Sequence, residues 1–308
     1  MSSAKLRAAS RALLEAGSAA AWTQWGAILS APSDKSVAHA MVDPEALVLA
    51  SIGMSSHEPR LLRLTRIWAR TGTRLLSVQR MKNVVARFEV PLDDGLAAFA
   101  YDAVTKGNDA RWRKLMGAEA GKALRREPTA TPRVVSPAAL MLRLRLGFGV
   151  GIKADVIAAL IGAAGASMTV QSIASATRYY TRAVRRAAEE LHSAGFIGTR
   201  ATAPLSYSLD LEKWGPVLQF DPNDPPAWRS WVAIYSFVTA LSSWSDRISD
   251  VSDVVVASEA RDLISRHSVA LDEAGVKEMP ASRYPGAAFL EPFTEMLEGY
   301  ADFVRSIV

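Results

Sequence analysis

Two proline-rich interruptions limit which parts of this 308-residue chain can form continuous structure. Residues 127–137 (EPTATPRVVSP) place three prolines in eleven positions, and residues 220–226 (FDPNDPP) place three in seven. Proline fixes φ and lacks a backbone N–H, so neither stretch suits a helix interior or a central strand. Both read as linkers, and they divide the chain into an expected helical N-terminal domain (1–130), a middle domain (136–219) and a helical C-terminal domain (226–308).

Within these parts the punctuation is mostly helical. Residues 3–28 are rich in Ala and Leu. Asp43-Pro44 makes a good helix start, with Asp as cap and Pro in the first turn, for a helix to about Ile52. Helices are expected over about 59–70, over 78–88 behind a Ser77 cap, and as a pair within 96–126. The middle part predicts helices over 138–145, 153–161, 170–176 and 181–193, then two short β-like runs. The C-terminal part predicts helices over 227–247, 252–268 and 287–306. The expected fold is mainly α and multi-helical, with a small two- or three-stranded β wing at its centre.

Composition removes several function classes. Hydrophobic residues make up 49% of the chain and charged residues 22%, which excludes a disordered tail. The absence of cysteine removes disulfide frameworks, thiolate metal sites and cysteine nucleophiles. Four scattered histidines (His39, His57, His192, His267) give no metal cluster, so no metal or cofactor is expected. The longest uncharged run, Val156 to Thr177, is broken by Gly, Ser, Thr and Gln and does not read as a membrane span. Met1 to Ala20 carries charges and no long apolar core, so no signal peptide is read, and the expected location is cytoplasmic.

Charge is unevenly spread. Residues 58–133 hold 16 basic and 8 acidic side chains, whereas residues 221–308 hold 7 and 14. A basic middle suits a polyanion partner, against the alternative of ordinary solvated surface charge.

The segment TVQSIASATRYYTRAVRRAAEELHSAGFIGTR carries the most information. Val170, Ile173 and Ala174 give a short helix an apolar face, and residues 177–180 make a tight turn. The next helix sets Val184, Ala187, Ala188 and Leu191 on one side and Thr181, Arg182, Arg185, Arg186 and Glu189 on the other. Ala194-Gly195 ends it, with Gly195 as a left-handed cap. Phe196 to Gly198 begins a strand, Tyr207, Leu209 and Leu211 alternate as a returning one, and residues 200–206 lie between them as a wing. With its ending Glu189-Glu190-Leu191-His192-Ser193-Ala194-Gly195-Phe196-Ile197, this segment resembles the winged helix-turn-helix DNA-binding domain of bacterial regulators of the MarR and ArsR type, over about residues 138–215. It departs from that pattern at Arg178, where glycine is common, and at Tyr180, where Ser or Thr usually caps.

The resemblance implies a sequence-specific double-stranded DNA-binding protein, a bacterial transcriptional regulator. A major-groove helix must bury one side and offer polar, basic groups on the other. Arg182, Arg185 and Arg186 meet that need. Tyr179, Tyr180 and Thr181 suit phosphate contacts near the helix start, and Arg200 can reach the backbone or minor groove from the wing. The same face can equally be a solvated one, its arginines held by nearby carboxylates. Winged helices also bind proteins, so a helical adaptor with a protein partner is the alternative function.

A second basic series, Arg60, Arg63, Arg66, Arg70 and Arg74, recurs at helical spacing opposite Leu61, Leu64, Ile67 and Trp68. Arg80, Lys82 and Arg87 follow on the next helix. This stripe can meet nucleic acid, be neutralised by the acidic 221–308 region, or cover apolar surface with its stems. No enzyme is expected. Gly147 to Lys153 fails the P-loop and dinucleotide spacings, His57-Glu58 lacks a second histidine, and no G-x-S-x-G occurs. Apolar positions in 227–242 and 289–304 suit core helices, and such helices after a wing can serve a homodimer or receive a small-molecule effector; the sequence specifies neither.

Overall fold

The computed structural model describes residues 3–29, 38–88, 90, 92–117, 130–201, 203–248, 251–276, 279–280 and 283–308. Among these the chain is mainly helical, with one small antiparallel sheet. The helices are α1 (Ser3–Ile28), α2 (Pro44–Gly53), α3 (Arg60–Thr71), α4 (Val78–Val85), α5 (Asp93–Thr105), α6 (Leu140–Phe148), α7 (Ile152–Gly162), α8 (Val170–Thr177), α9 (Thr181–Ser193), α10 (Leu211–Leu218), α11 (Trp231–Arg247), α12 (Asp253–Glu273) and α13 (Leu290–Ser306). Strand β1 (Met168–Thr169) precedes α8, while β2 (Gly198–Arg200) and β3 (Ser206–Ser208) follow α9. No described helix is long and apolar enough to cross a membrane.

The expected starts hold because their caps are local. The Asp43 carboxylate accepts from the Ala46 N–H at the head of α2, and Ser77 Oγ accepts from the Arg80 N–H at the head of α4. Of the helix pair expected within 96–126, α5 forms, a 3₁₀ turn spans Ala110–Leu115, and residues 118–129 lie outside the described ones, as do 127–129 of the first linker.

Two apolar cores organise the molecule. The larger draws on both outer parts of the chain: α1 lies along α13 and α11, and Trp25, Trp68, Trp231 and Trp244 are buried in it. The smaller gathers α6, α7, α8, α9 and the sheet, from Leu140 to Phe220, with Met41 inserted from the N-terminal part. The segment around Met41 ties the two together. Its Val42 N–H donates to Ala138 O, its Met41 N–H to Ala227 O, and Trp231 Nε1 donates to Met41 O.

Two local expectations need correction. The returning strand stops at Ser208 instead of running through Leu211, because β2 offers only three residues for pairing. Leu211 opens α10, which buries Leu218. Arg74 falls off the expected helical stripe, because α3 ends at Thr71 and Arg74 sits in a 3₁₀ turn. Gly72 fits at this end because a side chain there would strike the Trp68 ring, 2.3 Å from the Cβ position.

Candidate nucleic-acid interface

Helix α9 is anchored by its apolar side. Val184, Ala187, Ala188 and Leu191 are buried against α7 and α8. The helix ends in the expected left-handed glycine: Gly195 has φ of 76°, and the Phe196 N–H returns to Leu191 O. Its outer side carries Arg182, Arg185, Arg186 and Glu189, all exposed. Arg182 and Arg185 form no ion pair among the described residues. Arg186 pairs with Glu190 at 2.8 Å, and Glu190 also binds Lys153 at 2.8 Å. These two cations hold the Glu190 carboxyl below its usual range. The carboxylate that holds Arg186 is thus Glu190, four residues on.

The sheet order is β1-β3-β2, with Thr199 opposite Tyr207 and Arg200 opposite Ser206. Tyr207 lies within the electrostatic reach of both Glu189 and Arg185; burial, then the Glu189 charge, raises its hydroxyl. The root of the hairpin therefore sits beside the outer face of α9, with Arg200 exposed on β2.

The turn between α8 and α9 is clasped from two sides. Arg178 adopts the left-handed conformation, φ 62°, at the position where glycine is common. That geometry costs a side-chain-bearing residue about 1–2 kcal/mol. Its guanidinium is bonded to Glu273 of α12 at 3.1 and 2.5 Å, and its carbonyl accepts from Asn83 of α4 at 2.9 Å. Burial alone would raise the Glu273 carboxyl, but Arg178 holds it below its ordinary value.

Beneath this turn lies a feature that sequence reasoning missed: a buried ion cluster of two arginines and three carboxylates. Arg80, Glu45, Asp155 and Arg145 are essentially inaccessible, and Asp43 nearly so. Arg80 grips Asp43 with two bonds, at 2.6 and 2.5 Å, and Glu45 with one at 2.6 Å. Its Nε donates to Thr177 O at 2.8 Å, placing a cation at the C-terminus of α8. Arg145 bridges Glu45, at 2.7 and 3.1 Å, and Asp155, at 2.8 and 2.9 Å. Burial by itself would favour neutral groups here. The facing charges win: the Asp43 carboxyl is held low by Arg80, and both guanidinium groups are held more firmly protonated than usual.

The cluster changes the place of two residues. Arg80, expected on an exposed basic face with Lys82 and Arg87, is fully buried because α4 turns it toward Asp43 and Glu45. Tyr179, expected to contact phosphate, faces inward. Its hydroxyl donates to Asp155 at 3.0 Å and lies 3.3 Å from Ser77 Oγ; burial, then the Asp155 charge, raises it. Tyr180, by contrast, is 75% exposed, and the Thr181 hydroxyl donates to Gln171.

No family model, curated protein or solved structure matches the chain. Of the second basic series, Arg60 is tied to Glu58 and lies over the Trp22 ring. Arg63, Arg66, Arg70 and Arg74 form no ion pair among the described residues, so the acidic C-terminal part does not neutralise them there. Among the described residues no group of His, Asp and Glu is placed to hold a metal ion.

Proposed function

We propose that the chain is a sequence-specific double-stranded DNA-binding protein of the regulator type, with α9 as the helix that enters the major groove. The element order α7-β1-α8-α9-β2-β3 and the three-stranded sheet support reading residues 138–215 as a winged helix. The observation that carries the reading is the uncovered outer face of α9, where Arg182 and Arg185 stand in solvent without carboxylate partners. Arginine there can bind guanine bidentately or grip phosphate. Tyr180 and Thr181 would meet phosphates at the head of the helix, and Arg200 would follow the backbone from the hairpin. A two-fold dimer would set two such helices about 34 Å apart on the duplex.

The test is selection of binding duplexes from a randomised pool. The reading expects a preferred sequence to be enriched, palindromic if two copies bind together. A pool that stays random after repeated rounds would remove it.

One observation favours the protein-adaptor reading. Phe148, Phe196 and Trp214 form an aromatic cluster with ring centroids 5.4 to 6.1 Å apart, and Leu146 and Val217, on the helices that carry Phe148 and Trp214, are exposed. Such a patch on a soluble surface suits a protein contact. Recovery of a stable heteromer with no affinity for duplex would decide for the adaptor.

A further inference from the structure

Between α4, α8 and α12, at the head of α9, lies an open groove of about 640 Å³. Its charged lining comes from three parts of the chain: Lys82 and Arg87 on α4, Arg178 in the turn, and Glu273 at the end of α12. Glu273 is its one carboxylate among the described lining residues, and Arg178 and Ser175 already bind that carboxylate. Lys82 and Arg87 are exposed and form no ion pair among the described residues. The groove thus carries three cations, Lys82, Arg87 and Arg178, against one carboxylate, which Arg178 binds directly and Arg87 reaches only through space. Tyr180 and Thr181, which open α9, line the same groove, so it runs directly into the face assigned to the major groove.

We propose that this groove receives the sugar-phosphate backbone of the strand flanking the α9 site, with Lys82 and Arg87 neutralising its phosphates. The inference rests on the duplex-binding reading and extends it: the N-terminal part of the chain, outside the winged helix, becomes part of the DNA interface. Asn83 of the same helix holds the turn through Arg178 O, so α4 and α9 meet the duplex in a fixed relation. Contacts of this kind position the protein and carry no sequence information.

The experiment compares the Lys82→Ala/Arg87→Ala variant with the wild-type chain on an enriched duplex and on a scrambled one, across a salt series. Two lost phosphate contacts should weaken binding roughly 10- to 30-fold at about 150 mM salt and lower the salt slope by about 2, equally on both duplexes. Lys82→Arg should keep wild-type affinity, and urea unfolding should be unchanged, since both side chains are exposed. An unchanged slope, or a loss confined to the enriched duplex, would overturn the inference. If Arg182→Ala/Arg185→Ala weakens binding while Lys82→Ala/Arg87→Ala does not, the groove assignment alone fails. If the wild-type chain binds neither duplex, the parent reading fails with it.

Discussion

Arg80 and Arg145 are buried in the interior, while Arg182 and Arg185 are exposed on α9. Both pairs are arginines on helices, yet their surroundings give them opposite tasks. The interior pair meets three carboxylates and two backbone carbonyls in bonds of 2.5 to 3.1 Å. It is fully occupied and can bind nothing else. The outer pair forms no ion pair among the described residues, which leaves its donors open to a partner. The comparison teaches that a buried ion cluster can fix the pose of an exposed helix: Arg80 holds the end of α8, Tyr179 is tied to Asp155, and α9 starts two residues later.

Removing an interior arginine should have the largest effect. Arg145→Ala leaves Glu45 and Asp155 buried without their shared cation and should cost about 3–5 kcal/mol in urea unfolding, if the variant folds at all. A cost below about 1 kcal/mol would mean that water reaches the cluster. Acid comes next. The folded-state Asp43 carboxyl lies below its ordinary 3.8, so its contribution is present above that pH and is lost as pH falls through the folded value. Stability should hold from neutral pH down to about 4 on this account and drop below it; a decline that starts near pH 6 would contradict the assignment. Tyr179→Phe sharpens the division between the two regions. It should cost about 1 kcal/mol of stability through the lost bond to Asp155 and leave the salt slope of duplex binding intact. A variant of unchanged stability with weakened binding would move Tyr179 to the outer face. The smallest effect on folding belongs to Arg182→Ala/Arg185→Ala, within about 0.5 kcal/mol of wild type in the same assay.

What the sequence reveals and what it hides divide along the same line. The caps at Asp43 and Ser77, the two faces of α9 and the Gly195 end are written within a few neighbouring residues, so periodicity and cap chemistry suffice. The ion cluster assembles positions 43, 45, 80, 145 and 155, and Arg145 reaches Glu45 across 100 residues. No spacing rule links them, and Arg80 reads like its exposed neighbours Lys82 and Arg87. Arg145 carries one weak local signal, a charge among the apolar residues of α6, where Leu140, Met141, Leu142 and Leu144 are buried. The turn position at Arg178 is legible as a departure from glycine; that Glu273 would hold it, 95 residues away, is not.

The most direct measurement is equilibrium binding of a labelled enriched duplex across a salt series, for the wild-type chain and for Arg182→Ala/Arg185→Ala. The account predicts tight, salt-dependent binding by the wild type, and weaker binding with a shallower slope and reduced preference over scrambled duplex for the variant. Equal curves for the two proteins would contradict the assignment of α9 as the reading helix.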